Sequence, residues 1–335
     1  MKRILALCII SAFLIISAVS IGSVSVPLIK VLQSIIYGIK MNLGFGAKSP
    51  GTGDTYFTII WDIRFPRVLL AYLVGFSLAS AGTASQALFK NPLADPYILG
   101  ISGGASVGAA LAAIYFPKYM GMFALIFALA SVYVVYTISK VDGHIPVDTL
   151  LLAGIAFGFF SSAITSYLVY VGREKIHNAI FWLMGTFNGA LWTDVKLVFL
   201  SSFTGFLFLI LRWKELNLLL FGEESIALGL DVSFYRKAII FVISLLTAFA
   251  VSTSGIIGFV GLISPHAMRI IFGPNHKRLL PASALFGGSL MVMADMFARI
   301  LIKPQEIPVG IVTAVFGAPF FIYLLTKRKR GEIYA

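Results

Sequence analysis

Asp295 and Arg299 stand four residues apart inside an otherwise apolar run, acid before base. On a helix that spacing puts both side chains on one face in the favourable orientation. A charge inside a membrane span turns toward protein or a water-filled cavity. The chemistry expected is an internal ion pair, with Arg299 also able to reach the nearby surface. A second basic set, Arg64 and Arg67, is spaced i,i+3 in Arg64-Phe65-Pro66-Arg67. That spacing also shares a helical face, although Pro66 implies that Arg64 precedes the helix proper. These arginines are either interfacial anchors by snorkelling or a basic contact for acidic residues on a partner. A third set runs Gly222-Glu223-Glu224-Ser225-Ile226-Ala227-Leu228-Gly229. Acids after a glycine suit a helix N-terminus, and Gly229 can close the turn with a left-handed cap. The segment keeps apolar residues where water is expected. It is either a partner site or a helix lying on the protein's own surface.

Catalysis finds little support. No Gly-x-x-x-x-Gly-Lys-[Ser/Thr] pattern occurs, so hydrolysis of ATP by such a loop must come from another chain. Gly51-Thr52-Gly53-Asp54 matches a protease pattern but lies in a polar stretch, and Ser254-Gly255 with His266 is a weak serine–histidine candidate. His144, His177, His266 and His276 share no ligand spacing, so no metal site and no cofactor are expected. Cys8 is the single cysteine, which excludes a disulfide within the chain.

The elements holding these residues belong in lipid. Of 335 residues, 59% are hydrophobic and 12% charged, against about 45–50% and about 25% in soluble domains. Lys+Arg total 26 and Asp+Glu 14. In such a chain the basic excess marks loops kept in the cytoplasm, not nucleic-acid binding. A membrane helix needs about 20 apolar residues. Ten segments qualify: 4–26, 67–89, 97–116, 119–139, 148–170, 194–212, 237–253, 256–272, 280–301 and 307–326. The chain reads as one all-α transmembrane domain, 1–335, in an inner membrane with both termini cytoplasmic. Two loops stand out, an outer one over 27–63 with a polar centre at Gly44–Asp54, and an inner one over 213–236. Ser252-Thr253-Ser254-Gly255 interrupts an uncharged run from Ala238 to Met268, which implies a turn or broken helix.

The fifth segment carries Gly154, Gly158, Ser161, Ser162 and Thr165, and the tenth carries Gly310, Thr313 and Gly317. Such small residues either let helices approach closely or wall a path for a bulky cargo.

Longer motifs carry a resemblance. Gln86-Ala87-Leu88-Phe89-Lys90-Asn91-Pro92-Leu93-Ala94-Asp95-Pro96 leads to Leu99-Gly100-Ile101-Ser102-Gly103-Gly104-Ala105. Gly258-Phe259-Val260-Gly261-Leu262-Ile263-Ser264-Pro265-His266, Ile307-Pro308-Val309-Gly310 and Gly317-Ala318-Pro319-Phe320-Phe321 follow in order. With the arginine motif and the 222–229 loop, these resemble the FecCD-type permeases of ABC importers for iron–siderophore complexes, haem and cobalamin. The resemblance implies ten helices of type II importer architecture. It also implies a homodimer, two separate ATP-binding subunits and one solute-binding protein. It assigns Gly222–Gly229 to ATPase coupling, Arg64, Arg67 and Arg299 to binding-protein docking, and the fifth and tenth helices to the translocation path. The Gly222–Gly229 spacing is about one residue tighter than the family form. The competing class is an ion-gradient-driven transporter, which usually places ion ligands at midplane helix breaks; Asp295 is the one obvious membrane acid and has a local partner.

Overall fold

The computed structural model describes residues 2–22, 26–42, 55–141, 144–302 and 305–329. Among these, helices carry the architecture. In chain order they are α1 (Lys2–Ser20), α2 (Leu28–Asn42), α3 (Thr55–Leu88), α4 (Ile101–Tyr115), α5 (Met120–Ile138), α6 (Val147–Gly172) and α7 (His177–Leu183). Then follow α8 (Trp192–Leu211), α9 (Trp213–Leu219), α10 (Val232–Ser254), α11 (Val260–Phe272), α12 (His276–Ile300) and α13 (Val309–Lys329). Seven are long and apolar enough to cross a membrane: α1, α3, α5, α6, α8, α10 and α12. α4, α11 and the stretch Val309–Tyr323 of α13 are apolar but shorter. Each of the ten expected spans falls on one of these ten helices.

α3 runs through the centre. Every residue from Ser77 to Leu88 is buried, and most are Ala, Ser, Gly or Thr. A helix buried on all sides needs small residues so that neighbours can come close. Two contacts make that concrete. A Cβ on Gly75 would collide with the Gly287 carbonyl of α12, and one on Gly82 would strike the backbone of Gly261 in α11. Hydroxyl pairs add lateral ties: Ser77 to Ser202 of α8 at 2.5 Å, and Ser11 of α1 to Ser289 of α12 at 2.8 Å. The outer helices turn Phe13, Phe159, Tyr170 and Phe203 away from the core, as lipid-facing side chains do.

Several expected boundaries move. The first span ends at Ser20 rather than near 26. The expected loop over 27–63 contains α2 and the start of α3, so its described part is largely helical. Its centre, Gly44–Asp54, lies outside the described residues, and Gly51–Asp54 with it. Pro66 does not start α3. The helix passes through it because Thr58–Arg64 is a wider π-helical stretch, which relieves the clash proline makes with the carbonyl four residues back. There the Phe65 amide bonds to the Ile60 carbonyl. The Trp61 carbonyl would next look to residue 66, a proline with no N–H. The Trp192 indole supplies the donor instead, at 3.0 Å.

The seventh span starts at Val232, five residues early, because the Asp231 side chain caps the Phe234 amide at 2.9 Å. The break in the long apolar run falls at Gly255–Phe259, just after the serines. Gly255 has φ +71, which favours glycine. Irregular backbone at membrane depth persists only where protein satisfies it. Here the Tyr97 hydroxyl meets both the amide and the carbonyl of Ile257, at 3.3 and 3.2 Å, and Thr186 N donates to Ser254 O at 2.8 Å.

Gly82→Val should destabilise the α3–α11 contact by about 1–3 kcal/mol through overpacking, read as a lower midpoint of thermal unfolding in detergent. Gly158→Ala, with open space around the new methyl, should leave the midpoint unchanged. Equal midpoints for the two variants would contradict this packing.

Candidate functional site

The bundle has two charged ends. At the first, α3, α12, the C-terminus of α1 and the α12–α13 connection converge on Asp295. This carboxylate is 1% exposed. Arg67 reaches Asp295 Oδ1 through Nη2 at 2.9 Å and Nε at 3.0 Å, and Glu306 at 2.8 Å. Arg299 Nε sits 3.0 Å from Asp295 Oδ2, as an ion pair rather than an aligned hydrogen bond. Its guanidinium continues to the carbonyls of Ile21 and Ala18, at 2.9 and 3.0 Å. Arg64 donates to the carbonyls of Val19 and Ser20 at 3.2 Å. The last carbonyls of a helix lack internal partners and carry partial negative charge. Arg64 and Arg299 therefore cap α1 while Arg67 and Asp295 join α3 to α12. Three guanidiniums meet two carboxylates, leaving one positive charge that the roughly half negative charge at the end of α1 offsets only in part.

Arg64, Arg67 and Arg299 are all buried, at 7%, 9% and 6% exposure. Arg64 and Arg67 do not act as one face: one turns to α1, the other to α12. Sequence reasoning missed Glu306. Its signal was an isolated acid just before Ile307-Pro308, near the arginine motif in space but 239 residues from Arg67.

At the opposite end, α9 and the loop to α10 form the coupling candidate. Gly222–Ile226 is a 3-10 turn rather than an α-helix. That narrower coil has three residues per turn. Ser225 is buried and its hydroxyl bonds the Gly222 carbonyl. The turn closes as a Schellman motif: Leu230 N donates to Ser225 O at 3.1 Å and Gly229 N to Ile226 O at 2.9 Å, with Gly229 at φ +83. Gly222 has φ +65, and its α-carbon rests against the Lys90 side chain beyond the end of α3. Glu223 pairs with Arg236 of α10 at 3.0 Å, and Arg236 also holds the Ile145 carbonyl at 2.9 Å. A cavity of about 620 Å³ opens beside this pair, lined by His144, Pro146, Ile226 and Asp231 among others. Glu224, Ile226, Ala227 and Leu228 face outward, Leu228 with 62% exposure. The arrangement is a rigid turn presenting acid and apolar side chains.

Asn217 of α9, which the sequence did not single out, ties this end to α12. Its Oδ1 accepts from the His276 amide at 3.0 Å and lies 2.7 Å from His276 Nδ1.

The small-residue stripes divide. Gly154 packs on the Ile98 carbonyl, Ser161 is buried beside Gly103, and Thr165 bonds the Ser161 carbonyl at 2.9 Å. Gly310 packs on the Met184 carbonyl, Gly317 on the Phe259 ring, and Thr313 is buried and bonds Gly310 O. Gly158 and Ser162 keep open surroundings. The serine–histidine candidate does not form: the Ser254 hydroxyl bonds Ala250 O at 2.9 Å, and His266 lies edge-on to Phe320.

A bundle of ten apolar helices, seven of them long enough to cross a membrane, defines an all-α, multi-pass membrane protein. A family model described as the FecCD transport family matches residues 8–327, so the chain belongs to that family of permeases. It is 45% identical to the cobalamin import system permease protein of Halobacterium salinarum, over 83% of this chain and 76% of the relative. It is 37% identical to a Helicobacter pylori protein assigned as an iron chelatin transport system permease, over 81% of this chain and 83% of the relative. A solved ABC transporter of assigned metal-chelate type, in an inward-facing conformation, superposes with a TM-score of 0.84 at 31% identity. It covers 97% of this chain and 99% of that one. The chain is an ABC importer permease.

Asp295→Asn should strand two buried guanidiniums and cost roughly 3–5 kcal/mol, the usual penalty for breaking a buried pair. The expected readout is a much lower thermal midpoint, with α1 cleaved early in limited proteolysis. An unchanged midpoint and cleavage pattern would show that the cluster does not hold α1.

Proposed function

We propose that this chain, as one permease domain over 1–335, forms half of the passage of a binding-protein-dependent importer for a metal chelate. The cargo class is iron–siderophore, haem or cobalamin, as the names of the relatives suggest. Two copies would meet as a homodimer around the path. Two ATP-binding subunits would dock at the Gly222 end and one solute-binding protein at the arginine end. The Gly222 end would then face the cytoplasm with both termini, in an inner membrane.

The observation that carries this reading is the outward-facing turn at Gly222–Gly229. Its glycines admit the left-handed backbone at both ends of the turn, Ser225 holds it from inside, and Glu224, Ala227 and Leu228 project. A preformed apolar knob with an acidic rim fits a groove on another protein without costly reordering. Glu223 belongs to the same surface, held by Arg236. Glu224→Lys leaves that pair intact, so it tests docking alone. We expect roughly a tenfold loss of transport-coupled ATP hydrolysis, or about 1.4 kcal/mol of docking energy. Wild-type coupling in this variant would remove the turn from the docking surface.

At the other end, Arg64, Arg67 and Arg299 act in docking through the positive potential they raise beneath the surface. Their engagement with α1, Asp295 and Glu306 supports this indirect role over direct contact. Glu306→Gln removes a partly exposed negative charge while leaving Asp295 in place. It should tighten an acidic binding protein by about 2–5-fold and steepen the salt dependence. Identical affinity and salt slope would leave the arginines as structural clamps only.

Gly158 and Ser162 on α6 are the members of the small-residue stripes whose surroundings support a path role. Gly154, Ser161, Thr165, Gly310, Thr313 and Gly317 support it from behind, by letting α6 and α13 sit close to their neighbours.

A further inference from the structure

The segment between the first two spans carries an element that transport does not account for. α2 divides into three stripes of helical spacing. Val31, Ser34 and Gly38 are buried, Gly38 pressed on the Trp61 ring. Leu28, Leu32, Ile36 and Ile39 form a second stripe with Ile29 beside it, all exposed, Ile29 at 66% and Ile36 at 54%. Lys30, Gln33 and Lys40 form the third and are also exposed. Each stripe covers about a third of the circumference at 3.6 residues per turn. One third fixes the helix to the protein, one is apolar, and one is basic.

We propose that α2 lies flat in the leaflet at the arginine end, its apolar third in the acyl boundary and Lys30 and Lys40 on anionic lipid headgroups. Three observations select lipid as the occupant. α2 follows seven connecting residues after Ser20, so it starts at the surface where α1 leaves the membrane. The preceding helix, α1, also turns apolar side chains outward, with Leu5, Ile9 and Phe13 exposed. Leu28–Asn42 contains two lysines and no acid, and basic residues beside an apolar face are the pattern of helices that lie in the interface plane and favour anionic lipid. This goes beyond the importer reading and stands independently of it.

The test uses full-length protein in nanodiscs of phosphatidylglycerol and phosphatidylcholine. Cys8, which is exposed, is first changed by Cys8→Ser. Ile36→Cys and Gln33→Cys are then made separately and labelled with a nitroxide. Oxygen, which concentrates in acyl chains, should relax the label at 36 about threefold more than a water-soluble nickel chelate, with the order reversed at 33. Replacing phosphatidylglycerol by phosphatidylcholine should at least halve that ratio at 36. Lys30→Gln with Lys40→Gln should give the same fall in phosphatidylglycerol discs. A label at 36 shielded from both reagents would mean that protein covers the stripe, either a second copy or a partner. Preferential contact with nickel would mean water. Either result overturns the proposal, and a ratio indifferent to headgroup overturns its anionic half.

Discussion

The buried carboxylate of Asp295 constrains everything around it. An ion removed from water must be matched by charge and hydrogen bonds, or it neutralises or disrupts the fold. Asp295 is matched by two arginines from different places in the chain, and their remaining donors need acceptors in turn. Those acceptors are Glu306 and the exposed carbonyls at the end of α1. A single acid in α12 thus fixes how α1, α3 and the α12–α13 connection meet. Among the described residues, no buried ion-pair cluster of this kind forms at the opposite end. Its Glu223–Arg236 pair leaves Glu223 70% exposed, and exposed pairs are worth at most about 1 kcal/mol. The molecule is tied by buried charge at one end and by a largely exposed pair at the other.

The spans were legible because lipid imposes a length and a polarity that composition alone reveals. Their ends were less legible, and for identifiable reasons. Ser20 ends α1 inside an apolar stretch because the chain turns back as α2. Val232 starts α10 early because Asp231 caps it, which hydropathy does not record. Arg64 falls inside a helix because a π stretch accommodates Pro66. The Asp295–Arg299 spacing was readable, since both residues lie on one helix. Glu306 was not, because only the fold brings it to Arg67. The Gly222–Gly229 loop stood out for its glycines and acids, but its coil was not legible. The short span between Gly222 and Gly229 makes sense once the turn is 3-10 followed by a Schellman closure. For the small-residue stripes, sequence left close packing and path lining open; the fold fills most of those positions with neighbouring backbone.

The two ends communicate through solid elements rather than loops. α12 is tied to α9 through Asn217 and His276 at its start, and holds Asp295 and Arg299 near its finish. α3 joins the arginine knot through Arg67, and just beyond its other end Lys90 lies on Gly222. Glycine contacts at 75, 82, 261 and 287 bring these helices so close that one cannot slide without moving the other. Between them, the Gly255–Phe259 break is anchored by Tyr97 at Ile257 and by Thr186 at Ser254.

The π stretch at Thr58–Arg64 has a consequence for how the chain can change over time. A π turn amounts to one residue inserted in a helix whose ends stay in place. At its last residue and beyond, Arg64 and Arg67 meet α1 and α12. At its middle, Trp61 packs on Gly38 and Trp192. Losing one residue here would rotate the two halves by about 100° relative to each other, so that only one set of neighbours could be kept. The surface helix and the membrane bundle are therefore locked in register by a single surplus residue, and insertions or deletions in this short stretch are the length changes the fold can least absorb.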